Sequence, residues 1–286
     1  MARRARYDVP EHMKRCHFTL RSDVRALMPP RCDSAPGEPP RLALWGDSHA
    51  EAWQPAAWEI ARARGVSATA ITMGSCTPMI GSAGRRSDIA GFAANCARLN
   101  ELALARLREG GIDLLMIASR WPAPYPGRDG VVPDAAARTA GRLTPAELEA
   151  SLDRVLSELR AVPRILLMLP IPELRHDAAR CIAMGRTAEC AYSRAEFDRA
   201  AAASTAMLRR LAATHANVVL VDPSSWFCDA TACRVTRDGA SLYFDDDHVS
   251  ATASAAFGRA YAADPARFEP GAATPGADGG RGTIRP

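Results

Sequence analysis

Arg41-Leu42-Ala43-Leu44-Trp45-Gly46-Asp47-Ser48-His49-Ala50 joins an apolar run to a glycine, a serine and then a helical pattern. From Glu51 to Arg64 the residues Trp53, Ala56, Ala57, Ile60 and Ala61 recur at helical intervals, so Ser48 falls where a buried strand turns into a helix N-terminus. Such a junction offers unpaired backbone N–H groups and the positive end of a helix dipole, both suited to an oxyanion. Ser48 therefore reads as a nucleophile. Asp and Ser are also ordinary helix caps, and the stretch alone leaves both readings standing.

Outward from this junction, strand and helix patterns alternate. Val66 to Met73, Ile112 to Ser119, Arg164 to Leu169 and Asn217 to Val221 read as further strands. Asn95 to Glu109, Leu143 to Arg160 with Thr144 as N-cap, Ser193 to His215, and Ser250 to about Ala263 read as helices. The alternation predicts an α/β fold: a parallel sheet of about five strands, covered by helices on both faces, with ligands at the carboxyl ends of the strands. A chain of 286 residues with 48% hydrophobic content has enough apolar side chain for one large core. The expected division is a proline-rich arm over 1–40, a single domain over 41–263, and a Gly-, Pro- and Ala-rich tail over 264–286 without structure of its own.

The formal charge of +4 is mild, and Lys14 is the only lysine. No arginine-rich stripe with interleaved aromatics appears, which argues against nucleic acid as a partner.

A second motif lies about two hundred residues beyond Ser48, at Tyr243-Phe244-Asp245-Asp246-Asp247-His248-Val249-Ser250. An acid three residues before a histidine, on a loop leading into the last helix, lets one turn offer an imidazole to the serine and a carboxylate to that imidazole. Together, Gly46-Asp47-Ser48-His49 and Asp245 with His248 resemble the SGNH/GDSL hydrolase superfamily. The nearest branch is the SGNH domain fused to membrane acyltransferases that O-acetylate bacterial surface polysaccharides, and the resemblance runs from about Cys16 to Ala262.

The resemblance implies a three-layer, flavodoxin-like sandwich and assigns Ser48 as nucleophile, His248 as base and Asp245 as its orienting acid. Asp245 is chosen by the family's three-residue offset, Asp246 and Asp247 being alternative acids or caps beside Ser250. For the oxyanion hole it points to the amide of Gly74, in Met73-Gly74-Ser75-Cys76, with an ordinary turn glycine as the rival reading. Many superfamily members place an asparagine after the third strand; this chain has Ala118-Ser119-Arg120-Trp121 there. Arg120 is thus a candidate donor to the oxyanion or to an anionic sugar group, or else a surface arginine paired with an acid. His49 reads as a group beside the site rather than the base. Trp45 reads as core; Trp53, Trp58 and Trp226 read as core or as sugar-stacking surface. His12, His17, His176 and His215 show no partner pattern and are expected at the surface. The acids beside His248 lack a second carboxylate group at matching spacing, so no metal is expected, and no cofactor.

Eight cysteines fall as sequence neighbours: Cys16 with Cys32, Cys76 with Cys96, Cys181 with Cys190, and Cys228 with Cys233. Short loops close at the least entropic cost, so neighbour pairing is the expected disulfide framework, and an oxidising compartment follows. The expected location is therefore periplasmic, or the outer face of a membrane. Yet no signal peptide and no membrane-spanning run is visible. A detached domain, a mis-called start codon that hides an N-terminal membrane domain, or an unseen export route reconciles the two. The functions in view are an O-acyltransferase acting between an acyl donor and a glycan acceptor, beside a membrane acyltransferase partner; an esterase; and an inactive glycan-binding module.

Overall fold

The computed structural model describes residues 1–11, 16–27, 32–35, 37–80, 89–122 and 145–270. Leu143, Thr144, His12, Lys14, Pro29, Pro30, Pro36 and the tail from residue 271 lie outside the described residues. In chain order the elements are α1 (Ala2–Tyr7), β1 (His17–Phe18), β2 (Leu42–Gly46), α2 (Ser48–Ala52), α3 (Gln54–Ala63), β3 (Ala68–Met73) and α4 (Phe92–Arg108). They continue with β4 (Leu114–Ala118), α5 (Pro145–Glu158), β5 (Arg164–Met168), α6 (Ala178–Ala183), α7 (Thr187–Cys190) and α8 (Arg194–Thr214). The chain then adds β6 (Val218–Val221), α9 (Ser224–Phe227), β7 (Thr236–Arg237), β8 (Ala240–Ser241) and α10 (Ala251–Ala263).

Among the described residues the central sheet has six strands in the order β1-β3-β2-β4-β5-β6, every neighbouring pair parallel. Residues alternate between its faces. Leu42, Leu44, Ala68, Ala70, Leu114 and Met116 pack with Ala56, Ile60, Ala253 and Phe257 of α3 and α10. Ala43, Trp45, Ile71, Met73, Leu115 and Ile117 pack with α4 and α5 on the other face. Burial on both faces explains why the strands read as unbroken apolar runs. The chain leaves β2 for β3 on one side and reaches β4 on the other, so the switch of direction, where such sheets place ligands, lies at the carboxyl end of β2.

Three expectations are corrected. The sheet has six strands rather than about five, because the arm read as a linker supplies β1, held beside β3 by the pairs His17 with Thr72 and Phe18 with Met73. The helix after Ser48 is two helices broken at Trp53: Pro55 has no N–H to donate and its ring crowds the carbonyl of Glu51. The tail is not without structure from Pro265, since Pro265–Phe268 forms a 3-10 turn that buries Phe268 against Phe257 and Tyr261.

All four disulfides join the expected neighbours. Trp45 and Trp53 are core residues. Trp226 packs edge-on against Phe257 with Arg237 over its ring, and Trp58 packs on the core. Among the described residues, no helix is long and apolar enough to cross a membrane.

Candidate active site

Gly46 ends β2 in register with Thr72 of β3 and Ala118 of β4. A Cβ at this position would lie 1.8 Å from the Ala118 carbonyl oxygen and 2.7 Å from the Ala50 Cβ. Only glycine lets the chain turn into α2 while touching β4. Asp47 then caps α2 by accepting the His49 N–H through Oδ1 at 2.8 Å. Its Oδ2 accepts the Ser119 hydroxyl at 2.6 Å and the Arg120 amide at 2.8 Å. Asp47 is thus both the cap and a strut between the ends of β2 and β4, which fixes the backbone under Ser48.

The far end of the chain completes the group. Ser48 Oγ lies 2.8 Å from His248 Nε2, across 200 residues of sequence. His248 Nδ1 lies 2.8 Å from Asp245 Oδ2, and Asp245 Oδ1 accepts the His248 amide at 2.8 Å. Because Nδ1 faces carboxylate, it carries a proton, leaving Nε2 for the serine. Phe244 stacks on the imidazole with centroids 5.2 Å apart, and His49 sits on it at 4.5 Å. Burial disfavours the charged imidazole, but Asp245 and Asp247 more than offset this and raise His248 from 6.5 to about 10.

The remaining expected residues are placed differently. The Gly74 amide donates to the Phe18 carbonyl at 3.0 Å, so the edge strand β1 uses the donor that was read as part of the oxyanion hole. Arg120 is the paired arginine: Nε and Nη2 meet the two oxygens of Glu173 at 2.9 Å each, and Nη2 meets Asp247 Oδ2 at 3.0 Å. The Arg120 side chain is 48% exposed. His49 is buried beside the base, its Nε2 without a hydrogen-bond partner and 3.9 Å from Asp247. Ser250, not an acid, caps α10 by accepting the Ala253 amide.

Sequence reasoning missed Glu173, Glu51 and His17. Glu173 follows β5 in a proline-bounded turn, and its place at a strand's carboxyl end was the available signal. His17, expected at the surface, is mostly covered: Nδ1 lies 2.9 Å from Thr72 Oγ1, which donates to Glu51 at 2.6 Å. His215 is likewise no free surface group, meeting Asp153 at 2.8 Å.

The family described as SGNH domain (fused to AT3 domains) matches residues 15–263. The chain belongs to this family. Its parallel sheet with helices on both sides is the SGNH hydrolase fold. A comparison with curated proteins finds no match. Among solved structures, the SGNH domain here is similar to the lipopolysaccharide acetyltransferase periplasmic domain of Salmonella ser. Paratyphi A, with 14% identity and a TM-score of 0.52 over 77% of this chain and 80% of that one. An aryl esterase of M. smegmatis shares 14% identity with a TM-score of 0.44, over 80% of this chain and 99% of the other. A carbohydrate acetylesterase of Sinorhizobium meliloti shares 13% with a TM-score of 0.42, over 79% and 99%.

Proposed function

We propose that this SGNH domain is an O-acyltransferase that moves an acetyl or similar short acyl group to a hydroxyl of a cell-envelope glycan through an acyl-Ser48 intermediate. The observation that carries the reading is the chain of contacts Ser48 Oγ to His248 Nε2 to Asp245, each link 2.8 Å, in a family whose members are fused to AT3 domains. In this reading the neutral form of His248, whose share grows as pH rises toward about 10, takes the Ser48 proton as Oγ attacks the donor's carbonyl carbon. The imidazolium then protonates the leaving group, and the acyl group stays on Ser48. The acceptor hydroxyl repeats the sequence: His248 removes its proton, its oxygen attacks the acyl carbon, and Oγ leaves with a proton returned from His248. The Ser48 amide, first in α2, supplies one oxyanion donor. The half-exposed guanidinium of Arg120 is the candidate to supply a second.

Four disulfides favour an extracytoplasmic setting, and the AT3 domain of the family name fits a membrane partner that delivers the acyl group. Hydrolysis is the second reading, favoured by the 18% exposure of the His248 side chain, which lets water reach the base.

The test is labelling with a fluorophosphonate, followed by p-nitrophenyl acetate turnover with and without glycan acceptors. Labelling at Ser48, abolished in Ser48→Ala together with a rate loss of roughly a thousandfold or more, is expected. Acetyl appearing on the glycan supports transfer, and free acetate alone supports the esterase. An unlabelled wild-type protein that still binds glycan overturns both.

A further inference from the structure

Asp245 is not the only carboxylate on the base. Asp247 Oδ1 lies 2.8 Å from His248 Nδ1, the same atom that Asp245 Oδ2 meets at the same distance. The two acids differ in their surroundings. Asp245 is partly exposed, and its Oδ1 shapes the turn by accepting the amides of Asp247 and His248. The Asp247 side chain is 7% exposed, and its second oxygen touches the Arg120 guanidinium, which Glu173 grips from the other side. A single N–H thus faces two carboxylates, one of them tied to a cation that comes from the end of β4.

We propose that Asp247 is a second carboxylate positioning His248, and that Arg120 acts on this imidazole through it. The assignment rests on the acyl-serine reading for its kinetic consequence only. Two negative groups at one nitrogen favour the imidazolium, and a guanidinium on one of them moderates that preference. The direction of the Asp247 shift agrees: burial raises it, but His248 and His49 hold it well below the usual carboxylate range. The charged and titratable groups around His248 are Asp245 and Asp247 from its own loop, His49 from α2 and His17 from β1, with Arg120 reaching Asp247.

The consequence is a pH setting. Removing Asp247 lowers the pH at which His248 becomes a free base, and removing Arg120 raises it. Loss of rate alone does not identify this role, because an oxyanion donor at Arg120 also lowers the rate when removed. The readout is therefore the titration midpoint of the His248 imidazole, followed by NMR of nitrogen-labelled protein and assigned by its absence in His248→Asn. In Asp247→Asn the midpoint falls by about 1–2 pH units. In Arg120→Gln it rises, and in the double variant the Arg120→Gln shift shrinks to near zero. The pH midpoint of fluorophosphonate labelling moves in the same directions.

An unchanged midpoint in Asp247→Asn, alongside a lowered one in Asp245→Asn, overturns the proposal. So does an Arg120→Gln shift that is equal with and without Asp247. If Arg120→Gln does not fold, the Asp247→Asn and Asp245→Asn comparison decides the first point, and Arg120→Met, which removes the charge but keeps an unbranched stem, replaces it in the cycle. If the midpoints move as expected while even the wild type resists labelling, the acyl-serine reading falls and the assignment of Asp247 stands.

Discussion

His17 shows how a mostly covered side chain reports its surroundings as a dependence of stability on pH. It sits at the end of β1, held through Thr72 to Glu51, and burial lowers it from 6.5 to about 4, with Asp47 opposing and His248 adding to the shift. A depressed histidine contributes stability that is fully present above its unfolded value of 6.5 and is lost as pH falls toward 4. Burial raises Glu51 from 4.5 to about 6, against the Thr72 hydrogen bond, and its contribution runs the other way: it weakens the fold as pH rises through that interval. Comparing wild type with His17→Asn by urea unfolding separates the two. The wild type should lose on the order of 2 kcal/mol more than the variant between pH 7 and pH 4, and parallel curves would refute the account. The sequence concealed this group because a lone histidine after a cysteine has no periodicity to read. Asp247 was hidden for a different reason: among three consecutive acids the offset rule selects Asp245, and only coordinates show that the third also reaches Nδ1.

At the scale of elements, the weakest piece is β1. Two residues of strand hold themselves to β3 by few hydrogen bonds, so the Cys16–Cys32 disulfide, immediately beside His17, supplies much of the constraint. Replacing both cysteines with serine should lower stability by roughly 2–4 kcal/mol. Amide hydrogen exchange should quicken first at Gly74, whose N–H donates to the Phe18 carbonyl and closes the sheet edge. Exchange that quickens uniformly would place the effect elsewhere. The longer strands and helices were legible: β2, β3, β4, β5 and β6 lie within or beside their expected runs, because apolar content on both faces is a strong signal. β1 was not, since two residues among prolines and charges carry no pattern, and that omission misassigned the Gly74 amide. The break at Trp53 was readable in Pro55, whose effect on the preceding turn the helical spacing masked.

For the molecule as a whole, the site depends on bringing the two ends of the chain together, and the contact that does so is the crossing of α3 and α10. Ser254 Oγ accepts the Ala56 amide at 3.1 Å, and a Cβ on Gly258 would lie 2.6 Å from both the Ala56 Cα and its carbonyl oxygen. Gly258→Ala therefore forces the helices apart against backbone, which cannot yield as a flexible side chain does. The expected outcome is a protein that still shows its α/β circular dichroism but labels at Ser48 at least about tenfold more slowly; undiminished labelling would mean that the crossing does not set the geometry. The end motifs were visible in sequence because each is local, whereas this crossing is a matter of alanine against glycine that no motif announces. Ser48 lies a few residues before α3 and His248 a few before α10, so the two helices behave like the blades of a pair of scissors riveted at Ala56 and Gly258. A small change of angle at the rivet becomes a larger gap at the tips, and the serine and imidazole respond to side chains that never meet a substrate.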